Sequence, residues 1–464
     1  MKNKLYAAGL VLLLLPAGCD VLEQTPQGQI STSQAFANEN AANGALNGLY
    51  NQVQAVYDWR VQCIGDLASD ITQSVDTWDA FINIDEYVTT RDNSEIEDLY
   101  TVLYRAVNQA NAIVAEVPRL NLLPEKENDL LGQAYLVRGL MYFELARFWG
   151  GIPGVYGQWG VVIRTTPSSG IDDGSFGARA SLADTYAQVR SDAENALALL
   201  PETRNGAAAD RGRVVKSTAR AVLSRLHLYL RAYALSEQYA SLVIADDRYR
   251  LVTPYETIFR TKNTAESVFE VQYGVNDVSG MRNWYYPALA GGRGGLALHD
   301  AFYQELTANP DDARGRLTAY NANGKVYYPT KYNTPGNSDN THVIRIAELY
   351  LNRAEARAQL GNLAGAAADL NAVRQRAGLA QTAASTREEL LDAIMQERKL
   401  EFFQEGHRWF DLVRTGKAVE VLTNLKRNAG SRAVSLATPA RQVFPFPTSE
   451  VLTNPNLEQN EAYR

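Results

Sequence analysis

Cysteine and histidine are both scarce in this chain. Two cysteines, Cys19 and Cys63, stand among 464 residues, so a disulfide framework is excluded and stability must come from a packed core. His227, His299, His342 and His407 are widely separated and lack the paired spacing of zinc ligands. An excess of basic charge is missing too. With Lys2 and Lys4 set aside, 43 basic residues stand against 52 acidic ones, a net charge of −9, which offers nothing to phosphates and speaks against nucleic-acid binding. No segment has the roughly 20 apolar residues that a membrane-spanning helix needs. Gly291 to Gly295 lacks the following lysine and serine of a phosphate-binding loop, and no Gly-x-Ser-x-Gly elbow occurs. The pairs Asp172-Asp173 and Asp311-Asp312 lack the rest of a calcium loop. No cofactor or metal is expected.

What is present begins with composition. A chain that is 46% hydrophobic and 21% charged is globular over most of its length and long enough to bury a large core. Tyrosine and tryptophan are generous, at 25 and 6 residues.

At the amino terminus, Lys2 and Lys4 precede the apolar run Leu10 to Leu15, and Ala17-Gly18-Cys19 follows it. Basic, apolar and small residues in that order make a secretory signal. The placement of Cys19 resembles a bacterial lipobox, in which the cysteine is acylated and becomes the mature terminus. Pro16 departs from that pattern, where leucine is usual, and an ordinary signal cut near Gly18 is the alternative. The expected division is a signal over 1–18, a lipidated tether over 19–30 and one domain over 31–464. With Cys19 acylated, Cys63 has no disulfide partner and reads as a small packed residue.

Helical periodicity dominates the rest, and the helices come in pairs of the tetratricopeptide kind. Ile346 to Leu360 and Ala364 to Arg376 form the clearest pair, with Ala347, Leu351, Ala354 and Ala358 on one face. A second joins the helix near Asn128 to Trp149 with Ser181 to Leu200, where Ser181 caps and Pro201 stops. A third joins Ser217–Ala232 to Ser236–Ala245, and the first joins Ser33–Tyr57 to Ser94–Glu116. The helical scaffold is therefore expected over about 31–247 and 344–416. Insertions interrupt it at 58–93, 150–180 and 248–343, and function is expected in those loops on a rigid frame.

The most specific stretch runs from Glu397 to Gly416, Glu-Arg-Lys-Leu-Glu-Phe-Phe-Gln-Glu-Gly-His-Arg-Trp-Phe-Asp-Leu-Val-Arg-Thr-Gly. Read alone, it is a helix end stopped by Gly406 and a short second helix stopped by Gly416. His407 beside Arg408 and Asp411 offers acid/base chemistry, but a buried hydrogen-bonded junction is the preferred reading, because buried charges need partners. The stretch resembles the signature of the SusD/RagB family of nutrient-capturing surface lipoproteins, as do Tyr142 to Pro153, the leader Asp20 to Pro26 and the Phe444 to Asn460 tail. The resemblance implies a mainly α, SusD-like tetratricopeptide-type scaffold with long irregular loops and little β-structure. It also implies a binder without catalysis, lipid-anchored to the outer membrane and facing the exterior, which delivers an oligosaccharide to a SusC-like TonB-dependent transporter.

Capture of a glycan needs aromatic faces for sugar rings and polar groups for their hydroxyls. Two segments combine these, Tyr57 to Asp79 and Met281 to Gly295. Trp78 and Trp284 are the expected stacking platforms, with Asp79, Arg282, Asn283 and Tyr285 beside them, whereas packing beneath the loops is an equal reading for each. Trp149 and Trp409 are expected in the core. The same scaffold would suit a peptide ligand; a glycoside hydrolase with two carboxylates and a purely structural helical scaffold are the rivals from other classes.

Overall fold

A computed structural model describes residues 32–75, 77–168, 176–427 and 432–464. The signal, Cys19 and the 19–30 tether lie outside the described residues, as do Asp76 and the Asp172-Asp173 pair.

Four helical hairpins form the frame. Glu39–Tyr57 packs on Ser94–Glu116, Pro124–Leu145 on Leu182–Leu199, Lys216–Tyr229 on Tyr233–Ile244, and Ile346–Gln359 on Leu363–Arg376. Each hairpin leans on the next through Ser94–Glu116 against Pro124–Leu145, Leu182–Leu199 against Lys216–Tyr229, and Tyr233–Ile244 against Ile346–Gln359. Local chemistry sets the ends: the side chains of Asn38, Asn93 and Ser181 each accept backbone N–H bonds in the first turn of the helix that follows. Small residues set the spacing. A Cβ on Gly139 would stand 3.1 Å from the Asp192 Cβ and 3.3 Å from the Val189 carbonyl oxygen, so the missing side chain lets the two helices of the second hairpin approach closely. Ala347, Leu351, Ala354 and Ala358 are buried together between the last hairpin and the Arg387–Glu401 helix.

The segment 58–93 contains the buried helix Arg60–Leu67, the strand Thr72–Ser74 and the helix Asp79–Asp85. In 248–343 lie the strand Ser267–Val271, paired with Thr341–Arg345, the hairpin Thr318–Asn321/Val326–Pro329, and the short helices Met281–Tyr285 and Asp300–Thr307. Among the described residues all four sheets are two-stranded and antiparallel, and 55% helix against 8% strand makes the fold mainly α. One of these small sheets positions the site. Thr72–Ser74 pairs with Leu296–Leu298, Thr72 opposite Leu298 and Ser74 opposite Leu296, and Val75 N–H donates to the Gly295 carbonyl at 2.9 Å. Two segments more than 200 residues apart in sequence are thereby locked edge to edge.

The Glu397–Gly416 stretch is a buried ionic junction. Arg345 pairs with Glu266 and Glu401 at 2.9 Å each and with Glu405 at 2.7 Å. Arg376 joins Glu266 and Glu401, Arg314 joins Glu397 and Asp312, and Lys331 joins Glu405. Beyond it, Arg398 pairs with Asp411, Arg414 with Asp411 and Glu355, and Arg408 with Asp70. Burial, then the field of Arg225 and Arg398, pushes His407 well below the usual imidazole range, so the ring stays neutral near pH 7. Trp149 and Trp409 are fully buried, and Cys63 is a buried free thiol pushed up by burial.

Gly406 and Gly416 both adopt positive φ, 75° and 74°. A Cβ on Gly406 would lie 2.6 Å from the Gln62 Cα and 2.9 Å from the Val61 carbonyl oxygen, both backbone atoms that cannot swing aside. Gly406→Ala is therefore expected to destabilise by about 2 kcal/mol or more, from left-handed strain plus overpacking, read as a lower urea midpoint. An unchanged midpoint would mean that the crossing of this loop over the Arg60–Leu67 helix is loose.

Candidate ligand-binding site

Trp78 occupies the turn between the strand Thr72–Ser74 and the helix Asp79–Asp85, as the extended residue that precedes the first helical turn. Asp79 opens that turn, where a carboxylate suits the positive end of the helix dipole, and its side chain is exposed. On the other segment, Trp284 lies in the short helix Met281–Tyr285. The small sheet brings the two indoles together: their ring centroids are 5.4 Å apart at an interplanar angle of 49°. Phe81 lies 5.7 Å from Trp78 and 4.7 Å from Trp284, and Trp59 lies 5.0 Å from Trp284. Four aromatic rings from two distant segments thus form one cluster.

Its members differ in what they show to solvent. Trp59 and Trp284 are 7% and 6% exposed and Phe81 is fully buried, whereas Trp78 is only half-buried. Trp78 is thus the ring at the surface, resting on the others. Tyr285 is buried at 1% exposure, beside Cys63 and Thr72. Arg282 is also buried; its guanidinium donates to the Gly291 carbonyl at 3.2 Å and to the Ala290 carbonyl, and lies 4.2 Å over the Tyr286 ring. Half-buried Asn283 accepts the Arg293 backbone N–H on its carbonyl at 2.6 Å. Arg282 and Asn283 therefore hold the 287–295 loop in place.

That loop carries a residue absent from the six expected by sequence. Arg293 reaches back over the cluster, its guanidinium carbon 4.4 Å from the Trp78 ring centroid and 4.9 Å from that of Trp284. Glycines on both sides, with Gly291 and Gly294 at φ of 76° and 69°, allow this turn; that pattern was the available signal. On the far side, Arg60 lies 5.0 Å over the Trp59 ring. Burial pushes the nearby carboxyls of Asp58 up to about 6 and Glu95 up to about 7, against the opposing pull of Arg60.

The arrangement is a shallow aromatic surface with cations and an exposed carboxylate at its rim. Deeper clefts lie elsewhere, one of about 350 Å³ lined by Tyr100, Tyr104, Arg105, Arg164 and Glu450, and one of about 780 Å³ lined by Tyr233, Met395, Arg408 and Lys417. Among the described residues no group of three or more His, Cys, Asp or Glu side chains is placed to hold a metal ion, and Asp312 is engaged by Arg314. No helix of the described residues is long and apolar enough to cross a membrane.

A model of the SusD family matches residues 265–463, and one described as starch-binding, associating with outer membrane, matches residues 21–228. The chain belongs to the SusD/RagB family. A SusD-like protein of Formosa agariphila, P38, is 24% identical and aligns over 96% of this chain and 95% of its own length. The crystal structure of a putative sugar binding protein from Bacteroides vulgatus superposes with a TM-score of 0.79 at 28% identity, covering 92% of this chain and 99% of that one. Surface glycan-binding protein A from Bacteroides thetaiotaomicron, solved with laminarihexaose, has the same fold, with a TM-score of 0.77 at 20% identity over 91% of this chain and 99% of that one. SusD/RagB membership accounts for the helical frame and for the buried signature junction.

Proposed function

We propose that this SusD/RagB protein is a surface lipoprotein, acylated at Cys19, that captures an oligosaccharide without chemistry and hands it to a SusC-like TonB-dependent transporter. The single observation that carries the ligand reading is the meeting of Trp78 and Trp284 across two insertions, which leaves one indole at the surface of a rigid aromatic stack. A sugar ring lays its apolar C–H face on such an indole, while Asp79 and the rim arginines bond its hydroxyls. Starch-binding in the description of the matching family model, and a laminarihexaose complex on the same fold, support a glycan as the ligand. The signature carboxylates support binding over hydrolysis, since Glu397, Glu401, Glu405 and Asp411 are all buried and committed to ion pairs.

Affinity electrophoresis through gels containing plant, algal or microbial polysaccharides, followed by an assay for new reducing ends, tests this reading. Retardation by at least one polysaccharide with no new reducing ends is expected. New reducing ends would mean a hydrolase, and free migration through every gel would leave the helical scaffold as a protein-binding module.

A further inference from the structure

Among the described residues, Trp159 and Tyr320 are the two aromatic side chains that are exposed by half or more, at 51% and 52%. Tyr320 is the one that rests on a stack of rings. It stands on the first strand of the hairpin Thr318–Asn321/Val326–Pro329, directly opposite Tyr327, and the two ring centroids are 4.9 Å apart at 48°. Tyr327 in turn lies parallel to Tyr303 of the helix Asp300–Thr307, with 3.4 Å between centroids and 8° between planes. Three tyrosines thus form one column, with Tyr320 at its open end.

Packing accounts for the inner two rings and not for the third. Tyr303 and Tyr327 are half-buried and fasten the hairpin to the helix. A β-branched residue opposite Tyr327 would stabilise the hairpin about as well as an aromatic one, so folding does not require a tyrosine at 320. The support is firm. At the base of the hairpin Thr330 N–H donates to the Leu317 carbonyl at 2.8 Å, and the Arg260 guanidinium donates to the carbonyls of Thr330 and Lys331 at 2.9 and 2.7 Å. A ring held this way needs little further ordering when a ligand arrives. The hairpin also continues the site already described: Val326–Pro329 packs against Leu296–Leu298, the strand locked to Thr72–Ser74, and on the other face Tyr328 lies 5.1 Å from Tyr286, next to the helix that carries Trp284. Size favours a sugar over a protein partner. The open half of one tyrosine offers roughly 100 Å², against about 800 Å² per partner in a stable protein interface, and the turn after Tyr320 carries the exposed polar side chains of Asn323 and Lys325.

We infer that Tyr320 is a second sugar-stacking platform, separate from Trp78, which holds another stretch of the same polysaccharide. The inference rests on the proposal that the protein captures a glycan. One ring against one sugar is a weak contact. Once Trp78 holds a polymer, however, its further residues reach Tyr320 as an intramolecular event, and the two contacts together retain the chain better than either does. A short oligosaccharide occupies one platform at a time and gains nothing from the other.

The test compares the full-length chain with Tyr320→Ala, Tyr320→Trp, Trp78→Ala and the double variant Trp78→Ala/Tyr320→Ala. Polymer affinity is read by electrophoresis through gels of starch, laminarin and whichever other polysaccharide retards the parent, and short-sugar affinity by calorimetry with the trisaccharide of that polysaccharide. Tyr320→Ala is expected to weaken polymer binding by about three- to tenfold, the scale of one aromatic contact, while trisaccharide binding and the urea midpoint stay at the parent's values. Tyr320→Trp is expected to keep the parent's polymer affinity, and the double variant to lose more than Trp78→Ala alone. Retardation of Tyr320→Ala equal to the parent's would overturn the inference and leave the hairpin face to a protein contact. An equal loss for polymer and trisaccharide would overturn it too, because Tyr320 would then act on the Trp78 site. Both results leave the glycan reading standing; a parent that no polysaccharide retards removes that reading and the second platform with it.

Discussion

Arg345→Met is expected to cost about 3–5 kcal/mol of folding stability, the usual consequence of removing one partner from a buried ionic network. Arg345 is 1% exposed and contacts Glu266, Glu401 and Glu405. Arg376, Arg314 and Lys331 cannot compensate, because each is already engaged with the same carboxylates or their neighbours. Since a folded domain has only about 5–15 kcal/mol to lose, the variant is expected to show a much lower urea midpoint or not to fold. A midpoint close to the parent's would mean that the carboxylates find water or protons at little cost.

The same network sets the acid limb of stability. Burial alone would raise Glu405, but Arg345 and Lys331 outweigh it and hold the carboxyl down at about 2, and Glu401 and Asp411 are lowered likewise by the arginines around them. A carboxyl with a folded pKa near 2 and an ordinary value of 4.5 contributes fully above about pH 4.5 and is lost as the pH falls toward 2. Asp58, Asp85 and Glu95 act in the opposite sense: burial raises them to about 6, 7 and 7 from ordinary values of 3.8, 3.8 and 4.5, so their contribution is present below those ordinary values and falls as the pH climbs from them through the raised ones. Stability is therefore expected to peak between about pH 4 and 5, and Arg345→Met to flatten the slope between pH 4.5 and 2. A slope unchanged in the variant would contradict the assignment to Glu405.

Trp78→Ala is expected to weaken oligosaccharide binding by at least about thirtyfold, the loss of a stacking contact worth about 2 kcal/mol, while the fold survives. Trp78 is half-buried, and the rings beneath it still pack on one another through the Trp59–Trp284 and Phe81–Trp284 contacts. Trp284→Ala makes the contrast. That ring touches Trp59, Trp78 and Phe81 at 6% exposure, so its removal leaves a cavity at a cost of about 3–5 kcal/mol, and any loss of binding would be indirect. Should Trp78→Ala bind as the parent does, the surface indole is packing and not a platform.

The helical hairpins were legible from sequence because their information is local. Apolar spacing, the cap at Ser181, and glycines such as Gly406 and Gly416 each act within a turn or two of where they stand. The signature, too, read correctly as a buried junction, since eight charged residues crowded into twenty positions demand partners. Pairing of Thr72–Ser74 with Leu296–Leu298 was not legible. Three-residue strands carry no periodicity, and the contact that pairs them spans more than 200 residues. The consequence reached the site. Trp78 and Trp284 were named separately, yet their contact, the burial of Trp284, Tyr285 and Arg282, and the placement of Arg293 over both rings depend on that pairing. An arginine between glycines looks the same in sequence whether it faces water or an indole.

The most direct measurement is a crystal structure of the chain with the oligosaccharide that binds it most tightly. The expected result is an uncleaved sugar lying on the exposed face of Trp78, with Asp79 within hydrogen-bond reach of its hydroxyls. Sugar bound instead in the cleft between Tyr100 and Glu450, or in the groove beside Met395 and Lys417, with nothing on Trp78, would contradict it.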